Sequence, residues 1–257
     1  MYQVIFRIAA VCLIGFSWIA GPGLFAVSSP NIILILADDL GYGEVGCFGQ
    51  EFIQTPNIDQ LAREGMLLTE HYSGSPVCAS SRCTLLTGKH TGQAIVRNNR
   101  EMGGWGPDEP EGQYPLPENT NSLGKSLQLL GYETGCFGKW GLGGPDSTGH
   151  PNNQGFDYFY GYLCQRVAHN YYPTHLWRNN EIDPLEGNEE WFSAHQKILE
   201  ESPSFDSFAG GTYAPDKVIG EAISFIDQHA DEQFFLYYAS IIPHLALQIP
   251  DEELDTL

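Results

Sequence analysis

Positive charge is what this chain has least of. Lys and Arg total 12 against 32 Asp and Glu, a formal net charge of −20 over 257 residues. Proteins that hold nucleic acid neutralise backbone phosphates with stripes of Lys and Arg, so that partner class is excluded. Charged residues of both signs make up only 17% of the chain, below the roughly 25% usual for globular proteins. No internal repeat, low-complexity tract or sustained heptad is present, and no Cys-x-x-Cys or Cys/His spacing of a zinc site occurs. The same composition excludes collagen, coiled coil and a polytopic membrane protein. What is plentiful is glycine (29) and proline (16), beside 42% hydrophobic residues. The chain is therefore loop-rich, with enough apolar side chain for one large α/β domain or two small ones.

Arg7 is the only charged residue before Asp38, and residues 8–20 (IAAVCLIGFSWIA) form an apolar run that stops at Gly21-Pro22-Gly23. A positive start, a short apolar core and small residues at Ala26-Val27-Ser28 make the pattern of a cleaved signal peptide. A membrane anchor is the alternative, but it needs about 20 apolar residues and would have to run through the Gly-Pro-Gly breaker. Residues 1–28 are accordingly expected to be a signal peptide, with periplasmic or extracellular export and no stable membrane span after cleavage. Removing Cys12 with that segment leaves Cys47, Cys78, Cys83, Cys136 and Cys164. An odd number in an oxidising compartment leaves at least one thiol unpaired.

Residues 31–37 (NIILILA) are a continuous branched-apolar run, expected to be a strand buried on both faces. Helical spacing follows over 56–64, and residues 66–71 read as extended. A short helix is expected over 121–130 and a strand over 132–137. A longer amphipathic helix is expected over 215–229 and a buried strand over 234–240 (FFLYYAS). Strands alternating with helices give an α/β fold, a mostly parallel sheet with helices on both faces. The stretch 143–211, rich in Asn, Tyr, Gly and Pro, has little periodicity. It is expected to form insertions above the sheet, where ligands sit in such folds.

Four groups of residues carry chemistry. Asp38 and Asp39 lie at the carboxyl end of the first strand, where two adjacent carboxylates repel and resist desolvation. A hard cation bound by oxygen, Ca²⁺ or Mg²⁺, relieves both, and a solvated turn is the plainer alternative. Cys78 starts a short helix that ends near Gly88, with Arg82 one turn on. A helix N-terminus plus a guanidinium binds anions and acidifies a thiol. Lys139 follows a strand into the Gly-rich turn 138–143, and His244 follows the last strand as a candidate acid or anion donor.

In this order the four groups resemble the sulfatases of the alkaline-phosphatase superfamily, arylsulfatases included. Residues 78–88 (CASSRCTLLTG) are similar to the signature C-x-(P/A)-S-R-x-x-x-L-T-G. The 38–43 (DDLGYG), 55–59 (TPNID) and 138–140 (GKW) segments match as well, and the likeness runs from about Asn31 to Pro250. It implies an alkaline-phosphatase-like fold and hydrolysis of sulfate esters. Cys78 would be converted to formylglycine by a formylglycine-generating maturation enzyme, which also removes the odd thiol. Asp38, Asp39 and residue 78 would hold Ca²⁺, ahead of Mg²⁺. Arg82 would hold the nucleophile, and Lys139 and His244 would contact the sulfate. A phosphate-ester hydrolase on the same fold and an incomplete anion-binding fragment are the competing readings.

Ser80 departs from the signature's Pro or Ala. Gly141 stands where many relatives carry a His two residues after the Lys, so the base that His supplies must come from elsewhere or from water; His150, His169 and His175 are candidates, a solvent-facing loop His being the plainer alternative. Relatives place an Asp-Asn pair, a second Lys and a smaller domain beyond the position of Leu257. Residues 29–257 are therefore expected to be an incomplete catalytic domain, truncated at the C-terminus, that binds Ca²⁺ weakly and turns over slowly. The implied substrate is a sulfated small molecule or glycan. Tyr158, Tyr160, Tyr171, Tyr172 and Trp177 are expected either to stack on sugar faces or to form insertion core.

Overall fold

A computed structural model describes residues 29–103, 111–189 and 210–254. The expected signal peptide at 1–28 lies outside them. No helix among the described residues is long and apolar enough to cross a membrane.

Among the described residues eight strands form: β1 (Ile32–Leu36), β2 (Glu101–Gly103), β3 (Gly112–Gln113), β4 (Glu133–Lys139), β5 (Tyr158–Tyr162), β6 (His175–Arg178), β7 (Glu181–Pro184) and β8 (Phe234–Ala239). The helices are α1 (Pro56–Glu64), α2 (Cys78–Thr87), α3 (Leu123–Leu129), α4 (Ala214–Gln228) and α5 (Asp251–Leu254). Six strands make one sheet in the order β1-β8-β4-β5-β6-β7. The first four are mutually parallel, and β6 and β7 are added antiparallel. β2 and β3 pair separately.

Alternation along the strands sends side chains to two cores. Cys136, Phe235 and Tyr237 pack with Ala79, Cys83 and Leu86 of α2 and Leu127 of α3. Phe137, Leu236 and Tyr160 pack with Val218, Ala222 and Phe225 of α4. Helices thus cover both faces, as the alternating pattern predicts. The helix starts follow local chemistry. Pro56 and Pro215 sit in first turns, where a missing N–H costs nothing, and Ser122 caps α3 by accepting from the Lys125 amide. The 55–59 motif works as a clamp: Asp59 Oδ1 accepts from the Cys47 amide at 2.7 Å and Thr55 Oγ1 from the Gly46 amide at 2.8 Å, tying α1 to the loop after Asp39.

Three expectations are corrected. β1 is buried on one face only. Ile32, Leu34 and Leu36 meet the α2–α3 core, but Ile33 and Ile35 are 50% and 64% exposed. β1 is the sheet edge, and α4 packs chiefly on β4, β5 and β8. Residues 66–71 form no strand and are exposed throughout. They pair with no strand among the described residues, so water satisfies their backbone as well as a ladder would. The 143–189 part of the aperiodic stretch is also more ordered than its sequence suggests, since it contributes β5, β6 and β7 to the sheet. The apolar alternation of β5 (YFYGY) is broken by Gly161, whose φ is +155° and whose missing Cβ lets the Gly138 carbonyl approach. The loop aromatics resolve as core: Tyr160, Tyr171, Tyr172 and Trp177 are all buried, and Tyr158 is half-buried against Phe137 and Phe225.

Candidate active site

Parallel strands end on the same side of a sheet, and the crevice beyond their carboxyl ends is where such folds place ligands. β1, β8 and β4 are neighbours in register, with Leu36 opposite Ala239 and Ala239 opposite Gly138. Asp38, His244 and Lys139 therefore leave the sheet side by side. Gly138 makes this possible. Its φ is +99°, and a Cβ there would lie 2.1 Å from the Ala239 carbonyl oxygen, so only glycine lets β4 press against β8 where Lys139 emerges.

α2 brings the other two groups. It runs along the sheet with Ala79, Ser80, Arg82, Cys83, Thr84 and Leu86 buried, and Cys78 opens its first turn toward the strand ends. Ser80 is accommodated by a hydrogen bond of 2.6 Å between its Oγ and Ser75 Oγ. The Ala79 amide donates to Asn99 Oδ1.

Arg82 is 1% exposed. Its Nη1 donates to the Lys139 carbonyl oxygen at 2.6 Å, and its Nη2 pairs with Asp38 Oδ1 at 3.2 Å. Lys139, 0% exposed, donates from Nζ to Asp38 Oδ2 at 2.6 Å and lies 3.5 Å from both Cys78 Sγ and His169 Nε2. His244 Nε2 is 3.4 Å from Asp39 Oδ2, and its ring stacks on that of His169 at 4.2 Å. Tyr171 Oη donates to the carbonyls of Ile241 and His244, fixing that turn from below. All four sequence-predicted catalytic residues, Cys78, Arg82, Lys139 and His244, share this neighbourhood with Asp38.

Two buried cations face one buried carboxylate here, because the Asp39 side chain is 64% exposed. The excess positive charge in a low-dielectric setting favours an incoming anion. Burial alone would raise the Asp38 pKa, but Lys139 and then Arg82 outweigh it and hold the carboxyl below its ordinary range. Burial likewise opposes ionisation of Cys78, yet its hydrogen bond with His244 and the charge of Lys139 bring that thiol below its usual value. The buried thiols behave oppositely: burial pushes Cys164 up to about 12 and Cys136 higher still. All five cysteines among the described residues are free. A cavity of about 700 Å³ opens beside Asp38, Asp39, Cys78 and Arg82, with Tyr72 and His90 on its far walls. Lys139 and His244 are not among its walls.

Asp38, Cys78 and His244 present ligand atoms within 4.8 Å of one another. Asp39, expected in the metal set, is outside that group, on a left-handed backbone with φ +60°. Its carboxylate remains on the same turn as Asp38. The pair fits a hard divalent cation in kind, as carboxylate oxygens do, and supplies part of the about six to eight oxygens Ca²⁺ takes. Both Asp38 oxygens are engaged by Lys139 and Arg82, so the mutual repulsion expected of the doublet is relieved by side-chain cations.

Of the three candidate bases, His169 lies at the cluster, 3.5 Å from Lys139 Nζ and stacked on His244. His150 is 0% exposed and bonded to Asn179 and Asn152, and His175 is 2.6 Å from Glu111. Tyr171 and Asn99 reach the site from far along the chain; Tyr171 is expected from sequence only as a sugar-stacking or core aromatic, and no local pattern marks Asn99.

The fold and site together define a buried cluster of one carboxylate and two cations at the strand ends of a mostly parallel α/β sheet. The Sulfatase family model matches residues 30–255, and the chain belongs to that family. It is 45% identical to human arylsulfatase D over 139 residues, 51% of this chain and 23% of that protein. It is 42% identical to human steryl-sulfatase over 141 residues, 53% of this chain and 24% of that protein. The crystal structure of Ps i-CgsB in complex with k-i-k-neocarrahexaose superposes with a TM-score of 0.67 at 30% identity, covering 89% of this chain and 48% of that one. The chain thus matches about a quarter of its curated relatives' length and about half of that solved chain. The sheet is of the alkaline-phosphatase-like kind that these structures share.

Proposed function

We propose that this chain hydrolyses sulfate esters at the cluster formed by residue 78, Arg82, Lys139 and His244. The observation that carries the reading is the convergence of a pKa-lowered thiol with two buried cations at adjacent strand ends. Converted to formylglycine, residue 78 supplies a geminal diol, one hydroxyl to attack sulfur and a second to release sulfate afterwards. Asp38, Asp39 and residue 78 would hold Ca²⁺, ahead of Mg²⁺, which supplies Lewis-acid polarisation of the sulfate oxygens.

The chain's own groups do the rest. Arg82 holds the nucleophile's side of the cluster and cannot lose its charge there. Lys139 presents its ammonium to the sulfate oxygens as negative charge gathers on them, and does so in a site already organised by Asp38. His244, 3.4 Å from Asp39 Oδ2 and stacked on the His169 ring, is placed to hand a proton to the departing alcohol. The substrate class is an aryl or carbohydrate sulfate. The curated relatives' names support the first, and the neocarrahexaose complex of Ps i-CgsB supports the second. Partners under this reading are the maturation enzyme and, through residues 1–28, the export machinery.

The test is expression beside a formylglycine-generating enzyme, with the mass of the peptide spanning Cys78 and sulfate release from a panel of aryl and glycan sulfates. The peptide is expected to exchange sulfur for oxygen with loss of two hydrogens, and sulfate release is expected to require that change. An unaltered thiol in protein from a maturation-competent host would instead favour the anion-binding fragment.

A further inference from the structure

We propose that Asn99 and Glu101 brace the site, setting the distance between residue 78 and the side built from Lys139, His169 and His244. They act through the backbone they hold and are positioning residues, and their part in catalysis rests on the sulfate-ester reading above.

The two sides come from separate parts of the chain. Residue 78 opens α2, whereas His169 closes the short helical turn Val167–His169. Lys139 Nζ stands between them, 3.5 Å from Cys78 Sγ and 3.5 Å from His169 Nε2. The His169 ring in turn lies on that of His244 at 4.2 Å. Contacts of 3.5 Å are at the outer limit of hydrogen bonding, so they do not fix the spacing of the two sides. Another element has to set it.

Residues 99–101 reach both sides. The N-cap of α2 is Val77, whose side chain accepts no hydrogen bond, and the first-turn amides of a helix have no partner within it. Asn99 Oδ1 takes one of them, the Ala79 amide, at 2.9 Å, one residue past position 78. Two residues after Asn99, Glu101 Oε2 pairs with Arg166 Nε at 3.3 Å, their side chains 9% and 19% exposed. Arg166 is the residue on which the Val167–His169 turn starts. A pair this far from water is screened less by salt than an exposed one. The ribbon that carries these groups is itself held down. Glu101 stands opposite Gln113 where β2 pairs with β3, and Glu111, just before β3, lies with Oε1 2.6 Å from His175 Nε2 on β6. Anchored to the main sheet, the ribbon fastens α2 at one point and the 166–169 turn at another.

The experiment uses the full chain and compares wild type with Asn99→Ala and Glu101→Gln. Amide hydrogen exchange is followed on both sides of the site. Asn99→Ala is expected to quicken exchange several-fold at the His169 and Asn170 amides, which close the turn. Glu101→Gln is expected to do the same at the Ala79 and Ser81 amides of α2, so each change is felt on the side it does not touch. In matured protein both variants are expected to lower kcat on 4-nitrophenyl sulfate about tenfold with KM nearly unchanged, less than the roughly 100-fold that a 1 Å misplacement can cost. Glu101→Gln keeps the size of the side chain and decides the matter if Asn99→Ala does not fold. Exchange that quickens only on the substituted side, or a wild-type kcat in matured Glu101→Gln, would overturn the brace. If matured wild type releases no 4-nitrophenolate, the sulfate-ester reading fails, and the exchange measurement then decides the brace by itself.

Discussion

Two clusters of charge sit on this sheet, and they are built oppositely. At the carboxyl ends of β1, β8 and β4, one carboxylate, Asp38, is shared by Arg82 and Lys139, all of them buried. On β6, beyond the parallel strands, one cation, Arg178, is shared by Asp183 and Glu221 and stands over the Tyr160 ring, with its side chain 37% exposed. The second arrangement leaves negative charge in contact with water, which solvates it. The first leaves positive charge where water does not reach, an arrangement that costs stability until an anion arrives. The contrast separates a functional cluster from a structural one by sign and burial rather than by residue type.

The comparison breaks first at Asp38. Asp38→Asn should strand two buried cations and destabilise the chain by about 3–5 kcal/mol, read as a shift in the urea midpoint. A change under about 1 kcal/mol would mean the cluster is wetter than its burial indicates. Next comes Gly141→Ala, which sets a Cβ against Gln165 on a left-handed backbone and should cost about 1–3 kcal/mol. Gln165→Gly should restore part of that loss, and no recovery would show that backbone strain alone is responsible.

Protonation sharpens the same contrast. In unmatured protein the Cys78 thiol lies below its usual pKa, so the folded state binds fewer protons there than the unfolded chain. Its contribution to stability is present above the unfolded thiol's pKa and is lost as pH falls through the lower native value. Iodoacetamide should therefore label Cys78 at pH values where an ordinary thiol is still protonated. His244→Gln should move that profile upward, and an unmoved profile would assign the shift to Lys139 and Arg82. The smallest effect belongs to the exposed cluster. Arg178→Gln should cost about 1 kcal/mol or less, and less again in high salt.

Much of the site was legible in the sequence because it is local. Cys78 and Arg82 lie one helical turn apart, Asp38 follows a strand directly, and Lys139 and His244 each follow one, so strand ends alone gathered them. What stayed hidden depends on contacts distant along the chain. Nothing near residue 66 shows that the segment has no strand to pair with, and nothing near Ile33 shows that β1 takes the sheet edge. The β5–β7 extension was concealed by aromatics and glycines that carry no clean period. His169 was visible only as one of three histidines, and its place beside Lys139 and His244 depends on the path of the loop after β5.

The central claim is that the charge and the thiol at these strand ends serve one reaction. Its most direct test is release of inorganic sulfate from 4-nitrophenyl sulfate by matured wild type beside Cys78→Ala, with Ca²⁺ present. Slow release by wild type and none by the variant is the expected result. Equal release by both, or none from matured wild type, would contradict it.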